Sequence, residues 1–272
     1  MRIHPFLGVD GPIGFAHRGA GEEAPENTLP AFQITVDLGF RYLETDAHLT
    51  RDGALVAFHD PHLDRVTDRH GAIADHSLAE VRAADAGYAY SPDGGRTFPF
   101  RSRGMTVPEL EELLTRWPEH RINIDPKSDP CVPPLAELIE RHGAWDRVAF
   151  GSFSDRRLHR IRALSGGRAC TSMGPRAIAV ALAAARAGRL PRQRADCIQV
   201  PEGHGRLHIV TRRFVEAAHR AGLPVHVWTA NDETTIDRLL DLGVDGVMTD
   251  RPRLLRDIFA ARDLDIAGVA AG

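Results

Sequence analysis

The chain has 272 residues and a net charge of −3, enough length to bury a full core as one large α/β domain over 1–272 and no charge excess that would call for a nucleic-acid partner. Its three cysteines, Cys131, Cys170 and Cys197, are widely spaced in apolar stretches, which reads as buried thiols in a reducing compartment and not as a disulfide framework or a zinc site. The first residues show no apolar run with a small-residue cleavage site, and no apolar run nears the roughly 18 residues of a membrane span, so a cytosolic protein without stable membrane association is expected.

Short apolar runs rich in β-branched residues alternate with helical patterns, as βα units and a parallel sheet require. The first expected strand, Gly14 to His17, runs into His17-Arg18-Gly19 and leads to a helix over Thr28 to Leu38, with Asn27 ahead of it and Gly39 after it. The second, Tyr42 to His48, carries Glu44-Thr45-Asp46. Asp52-Gly53 and a β-like run from Ala54 to Phe58 predict that this strand turns back as a hairpin, with His59-Asp60 directly beyond. About 70 residues separate the second and third strands, far more than a plain crossover needs, which places an insertion at approximately 60–105. It holds a short helix signalled by Ser77 and Glu80, then a Gly/Pro/Ser-rich stretch from Tyr88 to Gly104 that reads as an exposed loop or lid. Thr106 with Glu109 reads as a capping box for the next helix. The third strand, Arg121 to Asp125, ends in Asp125-Pro126-Lys127, and further strands are expected at Val148 to Ser152, Arg168 to Ser172, Cys197 to Val200, Pro224 to Trp228 and Gly246 to Thr249. Helix starts at Ser154, Thr211 and Asn231 fall between them. Eight strands with intervening helices predict a (β/α)8 TIM barrel with a small insertion after the second strand.

The polar residues collect at the strand ends, where such barrels keep their sites. A period of two puts Glu44, Asp46 and His48 on one face of the second strand. Two carboxylates pointing the same way repel unless a cation lies between them, and Asp125 on the neighbouring strand can supply a third oxygen. Oxygen-only ligation selects a hard divalent cation, Mg²⁺, Ca²⁺ or Mn²⁺, over zinc. The competing reading makes Glu44 an ion-pair partner of Arg18 or Lys127. His17 and His59 are candidates for general acid and base, since imidazole titrates near neutrality and phosphodiester cleavage needs one proton removed and one delivered. Arg18 and Lys127 would neutralise phosphate oxygens as charge develops. Lys127 is also the one lysine among 34 Lys and Arg residues, which points to a place where a compact ammonium does what a guanidinium fork cannot. His48 serves either the site or the core.

These residues, taken in order, resemble the glycerophosphodiester phosphodiesterases. The match runs through His17-Arg18-Gly19, Pro25-Glu26-Asn27-Thr28, Glu44-Thr45-Asp46, Thr50-Arg51-Asp52-Gly53, His59-Asp60, Leu63-Asp64-Arg65, Val107-Pro108-Glu109-Leu110, Ser152-Phe153, Trp228-Thr229-Ala230-Asn231, Asp245-Gly246-Val247 and Thr249-Asp250-Arg251-Pro252. The resemblance implies a barrel with a small insertion, a divalent cation held by Glu44, Asp46 and Asp125, and His17 and His59 as the acid/base pair. It also implies phosphate binding by Arg18 and Lys127, with Trp228 lining the pocket near the glycerol; the alternative for Trp228 is core filler. Glu26 and Asn27 read as loop-fixing and helix-capping, Asp60 as orienting His59 or pinning its loop, and Asp250 as a strand-end anchor. One departure stands out: the family usually has Glu-x-Lys where this chain has Asp125-Pro126-Lys127. The side chain is one methylene shorter, which bears on metal preference and affinity.

The expected activity is therefore metal-dependent hydrolysis of glycerophosphodiesters to sn-glycerol 3-phosphate and an alcohol. One rival is phospholipase D-like cleavage of lysophospholipid or sphingolipid head groups, for which Tyr88-Ala89-Tyr90 and Phe98-Pro99-Phe100 offer some apolar surface beside Arg96, Arg101 and Arg103. The other is a barrel that binds a phosphorylated ligand without turning it over, and that reading predicts the loss of a histidine or carboxylate.

Overall fold

A computed structural model describes residues 3–205 and 207–267; residues 1, 2, 206 and 268–272 of the expected single domain lie outside the described residues. The strands are β1 (Ile13–His17), β2 (Tyr42–Leu49), β3 (Leu55–Ala57), β4 (Arg121–Pro126), β5 (Val148–Phe150), β6 (Cys170–Thr171), β7 (Ile198–Pro201), the ribbon β8 (Gly203–His204) and β9 (Leu207–His208), β10 (Val225–Trp228) and β11 (Gly246–Thr249). The helices are α1 (Leu29–Asp37), α2 (Leu78–Arg82), α3 (Leu110–Arg116), α4 (Val132–Arg141), α5 (Asp155–Leu164), α6 (Pro175–Ala185), α7 (Arg212–Arg220), α8 (Glu233–Asp241) and α9 (Pro252–Ala261).

Eight strands lie side by side in the order β6-β5-β4-β2-β1-β11-β10-β7, every neighbouring pair parallel. The two ends of this curled sheet meet at one parallel bridge, Ser172 to Cys197. There Met173 N–H donates to the Cys197 carbonyl at 3.0 Å and Asp196 N–H to the Thr171 carbonyl at 2.8 Å. The expected eight-stranded barrel is thus present, with β6 to β7 as its thinnest seam.

Parallel strands covered by helices are buried on both faces, which is why they read as continuous apolar runs. Outward-facing residues pack against the helices in two large clusters, one around Phe214 and Phe259, the other around Leu113, Trp117 and Ile139. Inward-facing aromatics close the barrel floor: Phe15 packs on Tyr42 at 5.2 Å between ring centroids, and Phe6, from the segment ahead of β1, packs on Tyr42 at 5.3 Å. The alternation that turns Phe15 and Tyr42 inward also turns His17, Glu44 and Asp46 to the same side, nearer the C-terminal mouth. All three cysteines are buried and free.

The expected hairpin exists, with β3 antiparallel to β2 and Ala47 opposite Ala57. The inserted segment has a small core of its own, Val56, Phe58, Leu63, Ile73, Val81 and Val107, and α2 carries the expected capping box of Ser77 and Glu80. Its tip is tied down: the Arg101 guanidinium stacks on Tyr88 and Phe98 at 4.2 and 3.8 Å, and the Tyr90 hydroxyl donates to the Glu22 carbonyl. The aromatic rings of this tip are therefore engaged in contacts within the insertion and with the barrel loops, with Tyr88 still 39% exposed.

Three expected helix starts fall elsewhere. Thr28, not Asn27, caps α1 by accepting from Ala31 N–H, and Asp232, not Asn231, caps α8 by accepting from Thr235 N–H. Glu109, not Thr106, precedes α3, with Glu112 accepting the Glu109 N–H at 3.1 Å. Both displaced asparagines have side chains committed to the mouth of the barrel.

Candidate active site

His17, the last residue of β1, lies opposite Glu44 on β2, and Asp46 lies opposite Asp125 on β4. Adjacent parallel strands therefore carry the candidate residues to one end of the barrel. Directly after His17 the chain turns sharply, with Arg18 at φ 55° and Gly19 at φ 88°. Gly19 is required there, because a Cβ would stand 2.7 Å from the backbone of Ala31. The turn aims Arg18 inward, where Nη1 donates to Glu26 at 3.2 Å and Nε lies 3.2 Å from Asp46. Asn27, also left-handed at φ 55°, donates to Asp46 at 3.3 Å and accepts from Thr45 at 2.8 Å.

The two imidazoles are each held through Nδ1 by a carboxylate. His17 Nδ1 lies 2.6 Å from Asp250 Oδ1, and Asn231 Nδ2 donates to Asp250 Oδ2 at 2.7 Å. Burial acts to lower the His17 pKa, but Glu44 and Asp250 outweigh it and hold it above the usual histidine value. His59 Nδ1 lies 2.5 Å from Asp60 Oδ1, and Asp60 in turn receives Arg65 Nε at 2.5 Å. Arg65 also binds Glu26, at 2.7 and 2.9 Å, so one guanidinium links the support of His59 to the carboxylate that holds Arg18. His48 reaches the His59 carbonyl at 3.0 Å, which makes it a support of this loop.

Asp60 supplies a pH signature. Burial works to raise its pKa, but hydrogen bonds from Arg65 and His59 win and take it down to about 2. A carboxyl depressed in the folded state adds stability that is fully present above its unfolded value, about 4, and lost as pH falls through the folded one. The stability gap between the chain and Asp60→Asn is therefore expected to be widest above about pH 4 and to close toward about pH 2, as read from urea midpoints over that range. A gap unchanged in acid would mean that the ion pairs are not its source.

The three acids proposed from sequence are buried together. Lys127 Nζ sits 2.7 Å from both Asp46 Oδ1 and Asp125 Oδ2. Burial would raise the Asp46 pKa, yet Lys127 and Arg18 hold it below the usual carboxylate range. Burial wins at the other two: it pushes Asp125 up against Lys127, and it pushes Glu44 up to about 7 with help from Asp46 and against His17. Among the described residues no three His, Cys, Asp or Glu groups already form a metal cage, and the Lys127 ammonium stands between two of the acids. The donor set nonetheless fits an oxygen-bound cation, because Glu44 Oε2 and Asp125 Oδ1 are buried without a hydrogen-bond partner and such oxygens are costly unless a charge meets them. Among the described residues the one cationic group within ion-pair distance of Glu44 is His17, its Nε2 at 3.7 Å, so neither Arg18 nor Lys127 takes the place the rival reading gave it.

All eight candidates, His17, Arg18, Glu44, Asp46, His59, Asp125, Lys127 and Trp228, line one cavity of about 670 Å³. Its other wall is apolar, built by Phe153, Met173, Ile178 and Leu182, with Trp228 edge-on to Phe153 at 5.5 Å between ring centroids. Trp228 thus lines the cavity and also packs against the inner core cluster around Phe15 and Tyr42. The sequence reading missed Asp250 as the partner of His17, Asn231 behind it, and Arg65 as the link between Asp60 and Glu26. The runs Trp228-Thr229-Ala230-Asn231, Thr249-Asp250-Arg251-Pro252 and Leu63-Asp64-Arg65 were the signals that could have flagged them.

Residues 17–254 match the Glycerophosphoryl diester phosphodiesterase family. A Mycobacterium tuberculosis protein named Probable glycerophosphodiester phosphodiesterase 2 is 39% identical over 264 residues, covering 94% of each chain. In fold, the chain is similar to a glycerophosphodiester phosphodiesterase of Agrobacterium tumefaciens, with a TM-score of 0.75 at 24% identity over 90% of this chain and 99% of that one. An Oleispira antarctica phosphodiesterase, solved in complex with the product sn-glycerol-3-phosphate, is similar with a TM-score of 0.75 at 25% identity, covering 92% of this chain and 97% of that one. With the family model matched over residues 17–254, a relative 39% identical over nearly the whole chain and a barrel like those of the solved structures, the chain belongs to the glycerophosphoryl diester phosphodiesterase family.

Proposed function

We propose that this phosphodiesterase hydrolyses glycerophosphodiesters to sn-glycerol 3-phosphate and a free alcohol, with His17 and His59 as general acid and base and a divalent cation on Glu44, Asp46 and Asp125. The observation that carries this reading is the pairing of two carboxylate-held imidazoles with buried, unpartnered carboxylate oxygens in one cavity. When bound, the cation supplies Lewis-acid polarisation of a phosphoryl oxygen. Arg18 and Lys127 add positive charge where the phosphate gains negative charge. One imidazole accepts the proton of the attacking hydroxyl and the other delivers a proton to the departing alkoxide. Asp250 and Asp60 hold each ring at Nδ1, which leaves Nε2 to handle the proton. Buried free thiols favour work in a reducing compartment such as the cytosol, and among the described residues no helix is long and apolar enough to cross a membrane.

The test is release of glycerol 3-phosphate from glycerophosphocholine, first with chelator and then with Mg²⁺, Ca²⁺ or Mn²⁺ restored. Release that vanishes with chelator and returns with a cation is expected. No release with any cation, from folded protein, overturns the reading. The apolar wall of Phe153, Met173, Ile178 and Leu182 favours a second substrate, a lysophospholipid whose acyl-glycerol lies along it. Choline release from micellar lysophosphatidylcholine measures that activity directly.

A further inference from the structure

Beside the catalytic cavity lies a second one, of about 800 Å³, which shares His17 and Arg18 with it. One wall belongs to the barrel loops around Glu22 and Glu26 and the strand end at Asp250, the other to the insertion through Arg65, Val66, Ala89 and Tyr90. We infer that this chamber binds the alcohol arm of the diester and selects an uncharged polyhydroxy alcohol, of the glycerol or inositol kind, over a quaternary ammonium alcohol. The inference rests on the phosphodiesterase reading above and extends it to substrate choice.

The placement follows from connectivity. A phosphate held at His17 and Arg18 lies where the two cavities meet, and the two ester arms leave phosphorus in different directions. One arm takes the chamber walled by Trp228 and Phe153, and the other takes this one.

The choice of alcohol follows from charge. Arg18, Arg65 and Arg251 face Glu22, Glu26 and Asp250 around the chamber, and each carboxylate is paired. Glu22 pairs with Arg251 at 2.6 Å, and Glu26 pairs with Arg65 at 2.7 Å and with Arg18 at 3.2 Å. Asp250 is taken by His17 and Asn231. Every lining carboxylate already faces a partner, which leaves none for a cationic alcohol, whereas Arg18 Nε and Arg251 Nε are buried without a hydrogen-bond partner and can meet a hydroxyl oxygen. Hydroxyl groups both donate and accept, so a polyol can use carboxylate oxygens and guanidinium N–H groups side by side. A quaternary ammonium group has no N–H and is bound by aromatic faces. Among the described lining residues Tyr90 is the only aromatic, and it is spent, edge-on to Phe100 at 5.2 Å with its hydroxyl on the Glu22 carbonyl.

The experiment compares kcat/KM for glycerophosphoglycerol, glycerophosphoinositol and glycerophosphocholine in the metal-loaded enzyme and in Arg251→Gln and Glu22→Gln. The unmodified enzyme is expected to favour the two polyol diesters by tenfold or more. Arg251→Gln leaves Glu22 without its partner, and the ratio should shift at least tenfold toward the choline diester. Glu22→Gln leaves the opposite imbalance, and the ratio should shift further toward the polyols. Ratios are the readout because Arg251 also donates to the Asn231 carbonyl at 3.0 Å, a contact at the support of His17 that every substrate shares. Turnover with the same ratio in all three proteins, or a choline preference in the unmodified enzyme, overturns the inference and leaves the phosphodiesterase reading standing. No turnover on any diester overturns both.

Discussion

His17→Ala and His59→Ala are each expected to lower kcat on a glycerophosphodiester by about 100-fold or more, the usual contribution of a positioned acid or base. Each ring is fixed by a short contact to a carboxylate, 2.6 Å at His17 and 2.5 Å at His59, and both line the cavity that holds the buried acids. A p-nitrophenyl glycerophosphodiester separates the two roles, because its leaving group departs without a proton. The variant lacking the acid should recover most of its rate on that substrate, while the variant lacking the base should stay slow. Full activity of either alanine variant on glycerophosphocholine would overturn the assignment of that histidine.

Lys127→Ala is expected to lose roughly 3–5 kcal/mol of stability, the cost of removing one partner from a buried charge cluster. Its Nζ is shared at 2.7 Å between Asp46 and Asp125, and Asp46 is only 2% exposed. Arg18 remains at 3.2 Å from Asp46, but among the described residues no second cation lies within ion-pair distance of Asp125. The deficit should appear in urea unfolding near neutral pH and shrink in acid. The sign follows from Asp46: its pKa is depressed, so its stabilising contribution is present above the unfolded value and lost as pH falls through the folded one. If the three acids also hold a cation, millimolar Mg²⁺ or Ca²⁺ should restore part of the stability without any assay of turnover. A variant as stable as the parent in chelator would show that the cluster is not held by charge. Lys127→Arg keeps the charge but replaces a point charge with a planar fork that favours bidentate binding to one carboxylate. A tenfold or larger fall in kcat/KM is expected, and an unaffected enzyme would make the lone lysine an accident of composition.

Several features were legible because they are local. The short apolar runs at 148–150, 225–228 and 246–249 marked strands, since parallel strands buried on both faces have little polar surface to show. The same period of two put Glu44 and Asp46 on one face before any fold was known. The Asp52-Gly53 turn and the Ser77-Glu80 capping box were read correctly, because turns and caps of this kind are settled within a few residues. The misread caps at Asn27 and Asn231 mark the limit of that reasoning. Both residues have cap-forming side chains, but Thr28 and Asp232 take the caps while tertiary contacts claim the asparagines for Asp46 and Asp250.

The sequence by itself determined the order of the eight barrel strands and of the helices α1, α2, α3, α5, α7 and α8, the inserted segment and the identities of the polar residues at the strand ends, because alternation, turns and caps depend on near neighbours. Only the tertiary structure decided their partners. Asp250 reaches His17 across 233 residues because β11 lies beside β1, and Arg65 reaches Glu26 across 39 because the insertion folds back over the mouth of the barrel. Lys127 falls between Asp46 and Asp125 because the β2 and β4 register sets those two carboxylates side by side. Register and barrel closure bring together residues far apart in the chain, and no local pattern encodes which distant side chain will meet a given strand end.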